Sequence, residues 1–164
     1  MLTSLINKGA NMLKLLIPIL IILSSHKVLA APSYEGRYHA AKHIYMVGYM
    51  SEAECQSDGG EWLEEHCFFA TYDELTIDAD KIVIETIGHN AHTCVFEESF
   101  TQQDAQTLIS KVEVTDYSDE ILNCEVRVTT NDEWMSAKVS ATGEGCHFFC
   151  GMRSVLDIES AIKQ

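Results

Sequence analysis

The sequence predicts a mainly β fold, an antiparallel meander or small β-barrel with short peripheral helices and disulfide braces. Three observations predict it. Apolar residues alternate with polar ones through most of residues 75–139, turn signals follow each run of five to eight residues, and six cysteines occur in a chain whose N-terminus reads as an export leader.

The leader comes first. Lys8 and Lys14 precede an apolar block, Leu15 to Leu23, broken only by Pro18; polar residues follow it at once, and the small residues Val28 and Ala30 match a signal-peptidase site. The block is about half the roughly 20 residues a helix needs to span a bilayer. Basic region, apolar block and small-residue site together make a cleaved signal peptide over 1–30, cut after Ala30. Residues 31–164 are then a single exported β-rich domain, periplasmic or secreted, with no membrane insertion of the mature chain.

From Pro32 to Met50 tyrosines and small residues give no clear period. Ser51 followed by Glu54 reads as the cap of a short helix, stopped at Gly59-Gly60. Beyond Cys67 the two-residue period dominates. Leu75, Ile77 and Ala79 alternate with Thr76 and Asp78, Lys81–Ile87 is almost all β-branched, and Gly88-His89-Asn90 turns into Thr93–Phe96. Leu108, Val112 and Val114 share one parity. Leu122, Cys124, Val126 and Val128 alternate with Asn123, Glu125 and Arg127, which turns Cys124 inward, and Met135, Ala137 and Val139 form the next strand. Gly143-Glu-Gly145 turns into Cys146–Cys150, read as a further strand. In the tail, Val155, Ile158 and Ile162 stand at helical spacing, so the chain is expected to end on a short helix packed on the sheet.

Six cysteines in an oxidising compartment make three disulfides out of 15 possible pairings. Cys55 is assigned to Cys67, because Gly59-Gly60 turns the intervening chain back on itself. Cys94, Cys124, Cys146 and Cys150 stay unassigned. In a simple meander Cys94 and Cys124 would lie two strands apart, about 9.5 Å, beyond disulfide reach.

Charge narrows the partners. The whole chain carries −14, and three of its 11 basic residues precede Ala31 while all 25 acidic ones follow it, so residues 31–164 carry about −17. Such a field repels nucleic acid and anionic lipid and favours a basic protein as partner. No nucleophile elbow, P-loop or dinucleotide fingerprint is present, so no catalytic residue is assigned and the chain is read as a non-enzyme. The pairs Glu64-Glu65 and Glu97-Glu98 are read as solvated, alternating across extended chain. No cofactor is expected, apart from a metal that His89, His92 and His147 are candidates to hold, since imidazoles at such spacing can converge on zinc or copper. His39 and His43 would share one face of a helix.

The ending Cys146-His-Phe-Phe-Cys150-Gly151-x-Arg153, with His92-Thr93-Cys94 and Leu156-Asp157, resembles a group of small, mostly uncharacterised bacterial periplasmic proteins with a Cys-x3-Cys-Gly-x-Arg element. The resemblance covers residues 75–157 and implies export and disulfides but no particular activity. In size, export and β-meander the chain is also loosely similar to the periplasmic inhibitors of C-type lysozyme, with Ser140-Ala-Thr-Gly143 as the nearest stretch to their inhibitory motifs. The function expected is an exported acidic binding protein of the bacterial envelope or medium, such as an inhibitor of a basic partner like lysozyme. The alternative is a small metal- or ligand-binding periplasmic β-domain.

Overall fold

The computed structural model describes residues 33–46, 50–131, 133–150 and 154–164. The leader, its cut site, and Gly151 and Arg153 of the C-terminal element lie outside the described residues.

Ten strands form one antiparallel sheet: β1 (Gly36–Met46), β2 (Glu61–Leu63), β3 (His66–Ile77), β4 (Lys81–Ile87), β5 (Thr93–Ser99), β6 (Thr101–Asp104), β7 (Thr107–Thr115), β8 (Ile121–Thr130), β9 (Ser136–Thr142) and β10 (Ile158–Lys163). One short helix, α1 (Glu52–Ser57), and two 3-10 turns, His89–Ala91 and Glu144–Phe149, complete the regular structure among the described residues. The strand order is β5-β4-β3-β1-β10-β9-β8-β7-β6, with β2 paired only to β3. The two ends of that order, β5 and β6, are consecutive in the chain and separated by Phe100 alone. One run of chain thus pairs with β4 before Phe100 and with β7 after it. The sheet curls into a nearly closed barrel whose corner is Phe100.

The alternation that predicts the strands sets what fills the barrel. Tyr38, Leu75, Ile77, Ile82, Ile84, Phe96, Leu108, Val126, Val128 and Val139 are all buried. Each apolar side chain withdrawn from water is worth about 1.5–3 kcal/mol, which is why the parity of each strand is fixed. At one end of the barrel the corner is packed by aromatic edges: Tyr34 meets Phe100 and Trp134, each at 5.6 Å between ring centroids. The other end carries the lobe between β1 and β3, the turn at His89 and the segments 143–150 and 154–157.

Three departures from the sequence reading have physical causes. The order is not a simple meander, because β1 is inserted between β3 and β10 and pairs along all of its length with β3. The tail is strand β10 and not a helix: Ile158 pairs with Val139 and Ala161 with Ala137, so a bulge lies between them. Of the residues whose spacing reads as helical only Ile158 is buried; Val155 and Ile162 are more than half exposed, and the bulge sets the next buried residue, Ala161, three positions on instead of two. The stretch Cys146–Cys150, read as a strand, lies mostly in the 3-10 turn Glu144–Phe149 and fills the gap where β5 and β7 diverge.

Disulfides fasten that plug. Cys150 is bonded to Cys94 on β5 and Cys146 to Cys124 on β8, while Cys55 is bonded to Cys67, so all six cysteines are paired. Phe149 also packs edge-on against Phe96, 4.9 Å between centroids. Gly143 enters the plug at φ +107, and a Cβ there would stand 2.1 Å from the Asn123 carbonyl oxygen, so no larger residue fits. Gly60 has a different role from the turn read for it: a Cβ would fall 2.5 Å from Cys67 Sγ, and its absence makes room for the disulfide. Among the described residues no helix is long and apolar enough to cross a membrane.

Tyr38 is the largest side chain fully inside the barrel, and its hydroxyl donates to the Tyr34 carbonyl at 2.7 Å. Burial pushes its pKa up to about 12. A group raised in the folded state contributes stability that is whole below its unfolded value near 10 and lost as pH rises towards 12. The urea midpoint should therefore fall between pH 10 and 12, and Tyr38→Phe should flatten that fall. Equal alkaline slopes for the two proteins would show that Tyr38 does not govern it.

Candidate functional site

Histidines and clefts gather at the end of the barrel that holds the lobe and the plug. His89 begins its 3-10 turn after Gly88, and its ring lies 3.8 Å from that of Tyr45. The Tyr45 backbone N–H donates to His89 Nδ1 at 3.3 Å, so in the neutral ring the proton sits on Nε2. His92 closes the same turn through its backbone, accepting from the Gly88 N–H. His147 is exposed on the plug and lines a cleft of about 350 Å³ with Cys146, Cys150 and Asp157. His89 lines a neighbouring cleft with Lys42, His43 and Asp157. Among the described residues no group of three or more His, Cys, Asp or Glu side chains is placed to hold a metal ion, and every cysteine sulfur is engaged in a disulfide. His89, His92 and His147 are thus not gathered into one ligand set. His39 and His43 share a face as strand residues of β1 and not as helix residues, and His39 Nε2 meets Glu74 Oε2 at 3.0 Å.

Inside the same end lies an ion pair that the sequence reading missed. Lys42 Nζ stands 2.5 Å from Asp73 Oδ1, and that oxygen also accepts from the Ile87 backbone N–H at 2.8 Å. Parity was the available signal, since Lys42 stands in step with Tyr38 and Ile44, and Asp73 with Leu75 and Ile77. A carboxylate buried to this degree needs such partners. Nearby, Thr86 donates to the Val155 carbonyl at 2.5 Å and ties the segment after the plug to β4.

The carboxylate of Asp73 takes the place of a missing ladder bond. Pairing between β3 and β4 runs from Ile77 opposite Ile82 to Glu74 opposite Glu85 and stops there, although both strands continue. Beyond that point the strands part and leave a wedge of about 300 Å³ on the outer surface. Tyr72 and Ile87 wall it, Thr93 and Val95 continue it onto β5, and Glu74 and Glu85 stand at its closed end. His39 stacks on Tyr72 at 4.2 Å and 22°, which fixes the ring on the side of β1, yet Tyr72 and Val95 remain about half exposed. Glu74 is held by His39 and by the Thr76 hydroxyl; the Glu85 side chain makes no hydrogen bond or ion pair among the described residues.

Charge is unevenly neutralised over the surface. On the barrel Lys81 bonds Glu97, Lys111 and Arg127 both bond Glu125, and Lys138 bonds Glu159. Hydrogen bonds from Lys81, and from Lys111 and Arg127, hold the Glu97 and Glu125 carboxyls below their ordinary value. In the lobe there is nothing comparable. Between Lys42 and Lys81 the chain has no Lys or Arg, and Glu52, Glu54, Asp58, Glu61, Glu64 and Glu65 are all exposed. None of the six pairs with a cation among the described residues, and Glu54 is instead bound into the capping box with Ser51. Glu64 and Glu65, read as extended, are the tip of the β2–β3 hairpin at φ 49° and 65°. Two left-handed residues in a two-residue turn match the twist of the hairpin, a conformation that Asn and Gly adopt more readily.

No family model matches the chain, and no curated protein or solved structure matches it.

Proposed function

We propose that the chain is an exported, non-enzymatic binding protein of the bacterial envelope or medium whose partner is a basic protein, a C-type lysozyme being the concrete case. The observation that carries this reading is the lobe closed by Cys55 and Cys67, where six exposed carboxylates stand with no Lys or Arg in the sequence from 43 to 80. On the barrel three lysines and Arg127 are bonded to three glutamates, whereas none of the six lobe carboxylates pairs with a cation among the described residues. Residues 31–164 carry about −17, whereas a magnitude of roughly 2–8 suffices to keep a small domain soluble. A field of that size raises the rate of encounter with a cation and excludes acidic partners.

The test is association of residues 31–164 with C-type lysozyme from low to high salt, together with lysis of cell-wall substrate. The Debye length falls from about 10 Å at 0.1 M to about 3 Å at 1 M, so the association rate should drop by an order of magnitude or more while dissociation changes less. Lysis no slower than with an unrelated acidic protein of equal charge removes the lysozyme case. Binding to basic proteins that ignores salt removes the cationic partner altogether.

A further inference from the structure

We infer that the wedge between β3 and β4 is the anchoring site for one lysine or arginine side chain of that basic partner. The inference rests on the reading above and assigns it a place: the lobe attracts, and the wedge at the same end of the barrel holds. Its walls and its end suit the two parts of such a side chain. Tyr72 and Ile87 offer apolar and aromatic surface to the methylene stem, and the half-exposed Tyr72 ring, fixed from behind by His39, offers its π-face to the charge. Glu74 and Glu85 stand where the cationic head arrives.

Those two glutamates face each other directly across the ladder. Like charges in that position weaken a sheet. His39 and Thr76 compensate Glu74, but the Glu85 side chain has no partner among the described residues, although Lys81 is bonded to Glu97 on the adjoining strand. A cation placed between the two carboxylates relieves the repulsion and completes the set. The volume of about 300 Å³ admits one long side chain and not a strand, so recognition is of a projecting residue rather than by addition to the sheet.

The probe is fluorescein-labelled hexalysine at low salt, its fully Nε-acetylated form as control, measured by anisotropy against residues 31–164 and three variants. Tyr72→Ala and Glu85→Gln should each weaken hexalysine binding by about tenfold, the scale of one cation–π or charged contact. The double variant Glu64→Gln/Glu65→Gln should weaken it less than about threefold, although it removes more charge than either. Glu85→Gln should not lower the melting temperature, because it removes a repulsion, so its loss of binding cannot be a loss of fold. A lobe variant that weakens binding as much as the wedge variants would overturn the wedge and leave the cationic partner standing. Unaltered lysozyme binding by the wedge variants would do the same. Absence of binding by the unmodified chain to both hexalysine and lysozyme would overturn the wedge and the proposed function together.

Discussion

Replacing Cys94 and Cys150 together by alanine should lower stability by about 4 kcal/mol, the largest loss from any one of the three disulfides. The bond closes 56 residues, against 22 for Cys124–Cys146 and 12 for Cys55–Cys67. In the chain-entropy model those lengths correspond to about 4, 3.5 and 3 kcal/mol. Native structure sharpens the ranking. Cys94–Cys150 fastens the plug to the free side of β5, where Cys94 and Cys150 form only an isolated bridge. The lobe can open without parting the barrel; the plug cannot. Urea titrations of the three paired alanine variants would test this, and a loss for Cys94/Cys150 no larger than for Cys55/Cys67 would refute the role given to the seam.

Trp134→Ala should cost about 3–5 kcal/mol, as truncation of a large core aromatic does. Trp134 is 2% exposed, its indole N–H donates to the Ala105 carbonyl at 3.0 Å, and its ring meets that of Tyr34. Alanine leaves a cavity under the Phe100 corner and a carbonyl without its donor. Trp134→Phe should lose only part of this, since it keeps most of the volume. Trp62, opposite Cys67 in the lobe, is half-buried on the short strand β2, so Trp62→Ala should be the milder of the two. The comparison is a pair of denaturation curves, and a larger loss at Trp62 would contradict the burial described.

What the sequence made legible was what burial alone dictates. Leu122, Cys124, Val126 and Val128 alternate because one face of β8 is inside, and no tertiary detail is needed to see it. Cys55 and Cys67 were legible because the loop between them is short. Ile158 and Ala161 were not, since a bulge inserts one residue and breaks the two-residue alternation between them. Pairing of Cys94 with Cys150 depends on a plug that crosses a gap between strands far apart in sequence. Glu74 and Glu85 were ordinary members of alternating runs; only the register that sets them opposite each other, and the ladder that stops beside them, makes them a site. Lys42 and Asp73 were legible by parity and were passed over because charged residues are expected outside.

The insertion of β1 between β3 and β10 also sets how far along the sequence the contacts that close the barrel must reach. Strands β3 to β5 and β7 to β10 each contact their sequence neighbours, so both halves can zip through short closures. Joining them is another matter. Tyr38 must find Lys163, and the Gln164 N–H its bond to the Arg37 carbonyl, across nearly the whole described chain. Contacts of that separation are the slow ones in folding. Until β10 pairs with it, β1 has an unmatched edge and the ring of nine strands stays open.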